Sequence, residues 1–100
     1  MGYMGYGEIV NLTINGNYSS YLARFGTNQT LACSDFDKGQ MVKVFVLNTD
    51  SANAISVTLP ATGNYVIEGQ SADLVKQIPA DGTLQFVVWF INGKYHIIMI

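Results

Sequence analysis

Residues 84–100 read LQFVVWFINGKYHIIMI, and this stretch is the most informative part of the 100-residue chain. Asn92-Gly93 lies between two apolar runs, which predicts a β-hairpin with a two-residue type I′ turn, because both central positions of such a turn need a positive φ. A turn of this length sets the strand register, so Trp89 is expected opposite His96. Opposed residues share a face of the sheet, and the hairpin therefore has two faces that can be assigned from sequence.

Both faces of this hairpin are largely apolar. The first face contains Phe86, Val88, Phe90, Tyr95, Ile97 and Met99. A sandwich in a single chain needs only one apolar face per strand, because the other meets water. We therefore expect the second face to be covered by another copy of the chain, since obligate interfaces resemble a domain core cut in half. A ligand groove and a covering segment of the same chain are the alternatives. The predicted interface residues are Val87, Trp89, Ile91, His96, Ile98 and Ile100.

Short alternating runs separated by turn residues make up the rest of the chain. Residues 41–47 alternate with Val42, Val44 and Val46 on one side, and residues 55–59 show the same half-buried pattern. No window of eleven residues has an apolar period of 3.6, so no helix is predicted. Strands spaced about 8–12 residues apart predict an all-β fold. We expect an antiparallel, jelly-roll-like β-sandwich of eight or nine short strands.

A second hairpin is predicted near the start of the chain, where Asn15-Gly16 separates apolar runs over residues 8–14 and 18–25. Residues 1–7 read MGYMGYG, and three glycines in seven residues predict a linker. The length suits one domain, which we assign to residues 8–100.

Composition excludes several classes of protein. Apolar residues make up 49% of the chain and charged residues 12%, which rules out intrinsic disorder. Five basic and seven acidic residues give a net charge of -2, which argues against a nucleic-acid partner. Residues 1–20 lack the basic start and apolar core of a signal peptide. The longest apolar run, residues 86–91, is far below the ~20 residues that span a bilayer, so we predict no membrane insertion.

Catalytic and metal-binding patterns are sparse. Cys33 and His96 are the single cysteine and the single histidine. They could form a nucleophile pair, but buried packing is favoured for both. A zinc site needs three or four suitable ligands. Asp35 and Asp37 could hold calcium but fit a polar turn better. We therefore predict a protein that is not an enzyme and has no metal or cofactor.

Tyrosines flanked by neutral amides are the candidates for binding a ligand. Tyr18 and Tyr21 lie in a stretch rich in Asn and Ser, and Tyr65 follows Gly63-Asn64. An exposed tyrosine ring can pack on the C–H face of a sugar while amides reach its hydroxyls. The alternative is that these rings pack in the core. With the loop residues Asp50 and Asn53, the predicted ligand-binding residues are Tyr18, Tyr21, Asp50, Asn53 and Tyr65.

Five motifs in residues 39–100 carry a resemblance to a known family. They are MVKVFVLN at 41–48, ISVTLP at 55–60, GNY at 63–65, IPADG at 78–82 and NGKYHI at 92–97. This pattern resembles the C-terminal domains of bacteriophage tail fibres and related receptor-binding proteins. The resemblance implies a homotrimeric β-sandwich in a virion appendage, outside the cell, that binds a glycan or protein of the host surface.

Together these observations favour a non-enzymatic structural and adhesion module of a phage tail fibre or similar appendage. Two other functions remain open. One is a monomeric carbohydrate-binding module in which Trp89, His96 and Lys94 line a groove. The other is an assembly domain with no ligand.

Overall fold

The computed structural model describes residues 7–8, 12–61, 63–68 and 72–100, and all regular structure in these ranges is β. This confirms the all-β prediction. Eleven strands are present rather than eight or nine, and four of them have only two residues. The strands are β1 (Gly7–Glu8), β2 (Thr13–Ile14), β3 (Ser20–Phe25), β4 (Gln29–Thr30), β5 (Ala32–Cys33), β6 (Met41–Asn48), β7 (Ile55–Leu59), β8 (Tyr65–Ile67), β9 (Leu74–Ile78), β10 (Thr83–Ile91) and β11 (Lys94–Met99).

The strands form one large sheet and two small ones. The large sheet has the order β1-β3-β6-β10-β11-β8, and the small sheets have the orders β2-β5 and β4-β7-β9. Among the described strands, β6–β10, β10–β11 and β7–β9 pair antiparallel. The other five pairings are parallel, so the prediction of an antiparallel arrangement was wrong for these five. Apolar alternation reports which residues face the core, but it carries no information on the direction of the neighbouring strand.

The C-terminal hairpin has the predicted turn and register. Asn92 and Gly93 have φ values of 54° and 72°, as a type I′ turn requires. Trp89 lies opposite His96, and Ile91 lies opposite Lys94. Both strands join the centre of the large sheet, because β10 also pairs with β6 along most of its length.

The predicted hairpin at Asn15-Gly16 does not form. The strand before the turn, β2, pairs with β5, and the strand after it, β3, pairs with β1 and β6. The side-chain oxygen of Asn15 accepts hydrogen bonds from the Asn17 backbone N–H and the Tyr21 hydroxyl. The Gly16 N–H donates to the Asp35 carbonyl. These contacts direct the chain from a small sheet to the large one.

The linker predicted over residues 1–7 lies outside the described residues except for Gly7, which pairs with Tyr21 as part of β1. A Cβ added at Gly7 would stand 2.6 Å from the rings of Tyr18 and Tyr21, so only glycine fits against these rings. Gly7 is therefore part of the packed sheet.

One hydrophobic core joins the three sheets. Val42, Val44 and Val46, which alternation places on one side of β6, point inward and are fully buried. Phe86 and Val88 of β10 extend this layer. The small sheets contribute the side chains on the other side of the core, which are Ile14, Ile55, Val57, Leu59 and Ile78.

Asn48 at the end of β6 is the buried polar residue among the described side chains. Its Nδ2 donates to the carbonyls of Asn53, Ile78 and Pro79 at 2.9, 3.1 and 3.1 Å. Its Oδ1 accepts from the Asp50 backbone N–H at 2.9 Å. One side chain thus holds the loop after β6 against the turn after β9.

Candidate association surface

The outer side of the large sheet is apolar over its central strands. Because alternate residues of β6, β10 and β11 point into the core, the residues between them point outward. We call this surface the outer face. Met41 is 53% exposed and Ile98 is 45% exposed in the single chain. The apolar and aromatic residues of the outer face are Leu22, Met41, Phe45, Leu47, Val66, Val87, Trp89, Ile91, His96 and Ile98.

One row of the outer face crosses four neighbouring strands. Met41 of β6 lies beside Trp89 of β10, Trp89 beside His96 of β11, and His96 beside Val66 of β8. The ring centroids of Trp89 and His96 are 6.2 Å apart with an interplanar angle of 51°. These four side chains form one continuous surface. Single exposed apolar residues are normal on a protein, but a continuous patch marks an interaction surface.

A few charged residues stand among the apolar residues of the outer face, and Arg24 of β3 lies beside Leu47. Lys43 of β6 lies beside Val87, and Lys94 lies next to the hairpin turn. Glu68 directly follows β8. Since Ile97 pairs with Ile67, continuing the register by one residue places Glu68 beside Ile98. In this row, Val87 and Ile98 therefore have a cation on the β6 side and an anion on the β8 side.

Five of the six predicted interface residues lie on this surface. Val87, Trp89, Ile91, His96 and Ile98 lie on the outer face, and Ile100 follows β11 with 74% of its surface exposed. Their role between subunits stays a prediction. The structure also places Met41 and Phe45 of β6 on this surface. Met41 is 53% exposed and Phe45 is 37% exposed. Alternation predicts that Met41 and Phe45 lie on the same side of β6, but it does not predict that β6 pairs with β10.

Two of the predicted ligand residues, Tyr18 and Tyr21, pack on each other. Tyr21 is buried, and its hydroxyl donates to the side-chain oxygen of Asn15. Burial raises the pKa of Tyr21 above its usual value. The Tyr18 ring meets it edge-to-face at a centroid distance of 5.6 Å. Tyr18 is partly buried against the core, so both rings take part in packing.

Tyr65 connects the large sheet to a small one. Its hydroxyl accepts a hydrogen bond from the Cys33 N–H at 2.9 Å and donates to the Cys33 carbonyl at 3.2 Å. Its ring stacks on Tyr95 at a centroid distance of 5.5 Å. These contacts give Tyr65 a structural role at the edge of β8.

Asp50 and Asn53 form a closed turn after β6. Asp50 Oδ1 accepts from the N–H groups of Ala52 and Asn53, and Asp50 Oδ2 accepts from Asn53 Nδ2. These hydrogen bonds hold the pKa of Asp50 below its usual value. The turn follows the end of β6, whereas Tyr18 precedes the start of β3, and β3 and β6 are parallel. The five predicted ligand residues therefore lie in three separate places and not in one site, and ligand binding by them stays a prediction.

Cys33 and His96 are not brought together. Cys33 packs against the core, whereas His96 is on the outer face. Burial raises the pKa of the Cys33 thiol to about 12. The nucleophile pair considered from sequence is therefore not formed. In the described part of the chain, no group of three His, Cys, Asp or Glu side chains is placed to hold a metal ion.

We expect the Cys33 thiol to react slowly in the folded protein. A thiol with a pKa near 12 carries on the order of a thousandth of the thiolate of an ordinary cysteine at neutral pH. Alkylation by iodoacetamide, followed by mass spectrometry in buffer and in denaturant, measures this. The folded chain should be modified at least about a hundredfold more slowly. Equal rates in the two conditions would contradict the burial.

A cavity of about 380 Å³ lies beside the hairpin turn, and sequence reasoning missed it. It is lined by Lys38, Gly39, Phe90, Ile91, Asn92 and Gly93. Lys38 and Gly39 come from a separate turn, held to β10 by the bond from the Gly39 N–H to the Phe90 carbonyl at 2.7 Å. The cavity exists because two turns distant in sequence meet, and no local pattern signals such a meeting.

Comparison with protein-family models, curated proteins and solved structures finds nothing that matches this chain. Among the described residues there is no helix long and apolar enough to cross a membrane. The outer face is thus the feature on which a functional proposal can be built.

Proposed function

We propose that this chain is a non-enzymatic structural and adhesion module of a phage tail fibre or similar virion appendage. It assembles as a homotrimer through the outer face and binds a glycan or protein of the host surface. The observation that carries the proposal is the continuous apolar row from Met41 to Val66 across the large sheet. The number of copies and the virion setting rest on the family resemblance of residues 39–100.

Self-association follows from the kind of surface that is exposed. Trp89 and its neighbours would lose contact with water in an assembly, and burial stabilises by roughly 25 cal/mol per Å² of apolar surface. Large contiguous apolar patches are rare on chains that act alone. A closed assembly of identical chains covers the outer face of every copy, because each copy supplies the cover for another.

A jelly-roll-like β-sandwich is the architecture we infer for this module. The large sheet packs its inner side on side chains from both small sheets in one core cluster, which supports two layers. The receptor would be met by loops at the ends of the sheets, near Tyr18, Asp50 and Tyr65. The cavity between Lys38 and Asn92 offers an aromatic wall and an amide at one such end.

Size-exclusion chromatography with light scattering tests the assembly. We expect a mass of three chains of 10.9 kDa each that persists on dilution to low micromolar concentration. A single-chain mass at all concentrations would contradict the proposal. A glycan array probed with the assembled chain then tests adhesion, and absence of binding would leave the assembly domain without a ligand as the better function.

The Trp89–His96 ring pair supports one other function, a monomeric carbohydrate-binding module. The two rings lie together on an exposed sheet, and Lys94 stands on the same strand and the same side. Such a module would be a monomer, would bind glycans, and would lose binding on Trp89→Ala with its fold intact. A stable oligomer with Trp89 inaccessible to solvent would exclude it.

A further inference from the structure

Two opposite charges stand at matching heights on either side of the apolar residues Val87 and Ile98. Lys43 is on the β6 flank of this pair, with β3 and β1 beyond it, and Glu68 is on the β8 flank at the edge of the sheet. Lys43 lies beside Val87, Val87 pairs with Ile98, and the continued register places Glu68 beside Ile98. Lys43 and Glu68 are both exposed. They are separated by three strand spacings of roughly 4.8 Å, or about 14 Å, with apolar side chains between them. At this distance and exposure they do not neutralise each other within one chain.

Each of these charges borders a shallow hollow. The hollow on the β6 flank has a volume of about 300 Å³ and is lined by Ser19, Ser20, Met41, Lys43 and Val87. The hollow on the β8 flank has a volume of about 250 Å³ and is lined by Ile67, Glu68, Ile97, Ile98 and Met99. Both combine apolar walls with one charge, and the charges are of opposite sign. The two flanks are thus complementary to each other in charge and alike in apolar character.

Packing several sheets around one axis brings unlike flanks together. When the apolar residues around Val87 and Ile98 of identical chains point to a common axis, the β6 flank of these residues in one copy can meet the β8 flank in the next. Contacts of this kind join two different patches, which must therefore be complementary. Contact between two β6 flanks would instead oppose lysines, and contact between two β8 flanks would oppose glutamates.

We propose that Lys43 of one copy forms an ion pair with Glu68 of the neighbouring copy, and that this pair sets which flanks meet in the assembly. The partner is thus a second copy of this chain. This inference rests on the proposed self-association. It adds one pair of residues that are in contact between copies, and it states which flanks of neighbouring copies meet. The apolar row supplies most of the affinity, whereas the ion pair rejects wrong arrangements, because like charges placed together at an interface oppose association.

Charge reversal tests this pair. Lys43→Glu and Glu68→Lys each place like charges in contact, so each should raise the concentration at which half the chains are assembled by at least about tenfold. The double variant Lys43→Glu with Glu68→Lys restores an opposite pair and should return this concentration to within about threefold of wild type. Light scattering over a dilution series measures it, and circular dichroism confirms that each variant is folded.

Lys38→Glu is the matched control, because Lys38 lies in the exposed turn before β6, outside the row that contains Lys43, Val87 and Ile98, and the change of net charge is the same as for Lys43→Glu. This control should assemble like wild type. The defect of each single variant should also shrink in 1 M salt, where the Debye length falls to about 3 Å. Single variants that assemble normally, or a double variant that is no better than they are, would overturn the ion pair.

Failure of this inference and failure of the proposed function give different results. A wild-type chain that stays monomeric at all concentrations overturns self-association, and the ion pair with it. A wild-type oligomer that does not respond to either charge reversal overturns the ion pair alone. Lys43 and Glu68 are too far apart to touch within one chain. Rescue by the double variant would therefore have to come from a contact between two copies.

Discussion

Replacement of Trp89 by aspartate is expected to abolish assembly and leave the fold of the single chain intact. Trp89 lies at the centre of the apolar row, between Met41 and His96, and its side chain points away from the core. In an assembly the new carboxylate would be buried against apolar groups, which costs several kcal/mol when no partner compensates the charge. In the single chain the same carboxylate meets water, so the core is not disturbed.

Light scattering should show the mass of Trp89→Asp fall to one chain, while its circular dichroism spectrum stays that of a folded β-protein. Gln77→Asp is the control. It adds the same negative charge as Trp89→Asp, but on β9 of a small sheet, where Gln77 is exposed. Trp89→Phe should keep most of the assembly. A folded Trp89→Asp chain that remains in the wild-type oligomer would contradict the role of the outer face.

Replacement of Asn48 by aspartate is expected to destabilise the chain by about 3–5 kcal/mol, which is a large share of the stability of a small domain. Asn48 is fully buried, and its Nδ2 group donates to three backbone carbonyls. A carboxylate cannot donate, so it would face three carbonyl oxygens without a hydrogen bond. Urea unfolding followed by tryptophan fluorescence measures the loss.

The loss in Asn48→Asp should depend on pH in a defined direction. Burial beside carbonyl oxygens raises the pKa of the new carboxyl in the folded state above its unfolded value of about 3.9. The protonated form is therefore favoured by folding. Stability should be regained as the pH falls through the raised folded value and should be greatest, relative to wild type, below about pH 3.9. A carboxyl protonated at low pH can again donate to one carbonyl.

Asn92→Asp is the control for Asn48→Asp, because Asn92 is exposed in the hairpin turn and aspartate also tolerates its positive φ. Its unfolding free energy should stay within about 0.5 kcal/mol of wild type. If both variants lose the same small amount of stability, Asn48 does not hold the loop and the turn together as the structure indicates.

Local patterns predicted the parts of the fold that depend on neighbours in sequence. Asn92-Gly93 specified the register of β10 on β11 because the turn allows a single alignment of the strands. Alternation in β6 placed Val42, Val44 and Val46 on one side of the strand because successive side chains point to opposite sides, and this side is the buried one. The second apolar face was visible for the same reason.

The same patterns failed where distant contacts decided the outcome. Asn15-Gly16 is a strong hairpin signal, yet Gly16 bonds to the Asp35 carbonyl and the flanking strands join different sheets. The side chains of Tyr21 and Tyr65 were predicted for ligand binding, yet the structure ties them to Asn15 and Cys33. Composition cannot distinguish an exposed tyrosine from one whose hydroxyl has a partner elsewhere in the chain.

The sequence by itself determined that the chain is all-β, which residues share a side of β6, β7, β10 and β11, and that the C-terminal hairpin has two apolar faces. These properties follow from alternation and turn chemistry, which act over a few residues. Only the tertiary structure decided the strand order, the direction of each strand pairing and the placing of Lys43 and Glu68 on either side of Val87 and Ile98. These features depend on which strands pair with each other. The backbone groups that form hydrogen bonds between strands are the same at almost every residue, so the sequence of one strand does not specify its neighbour.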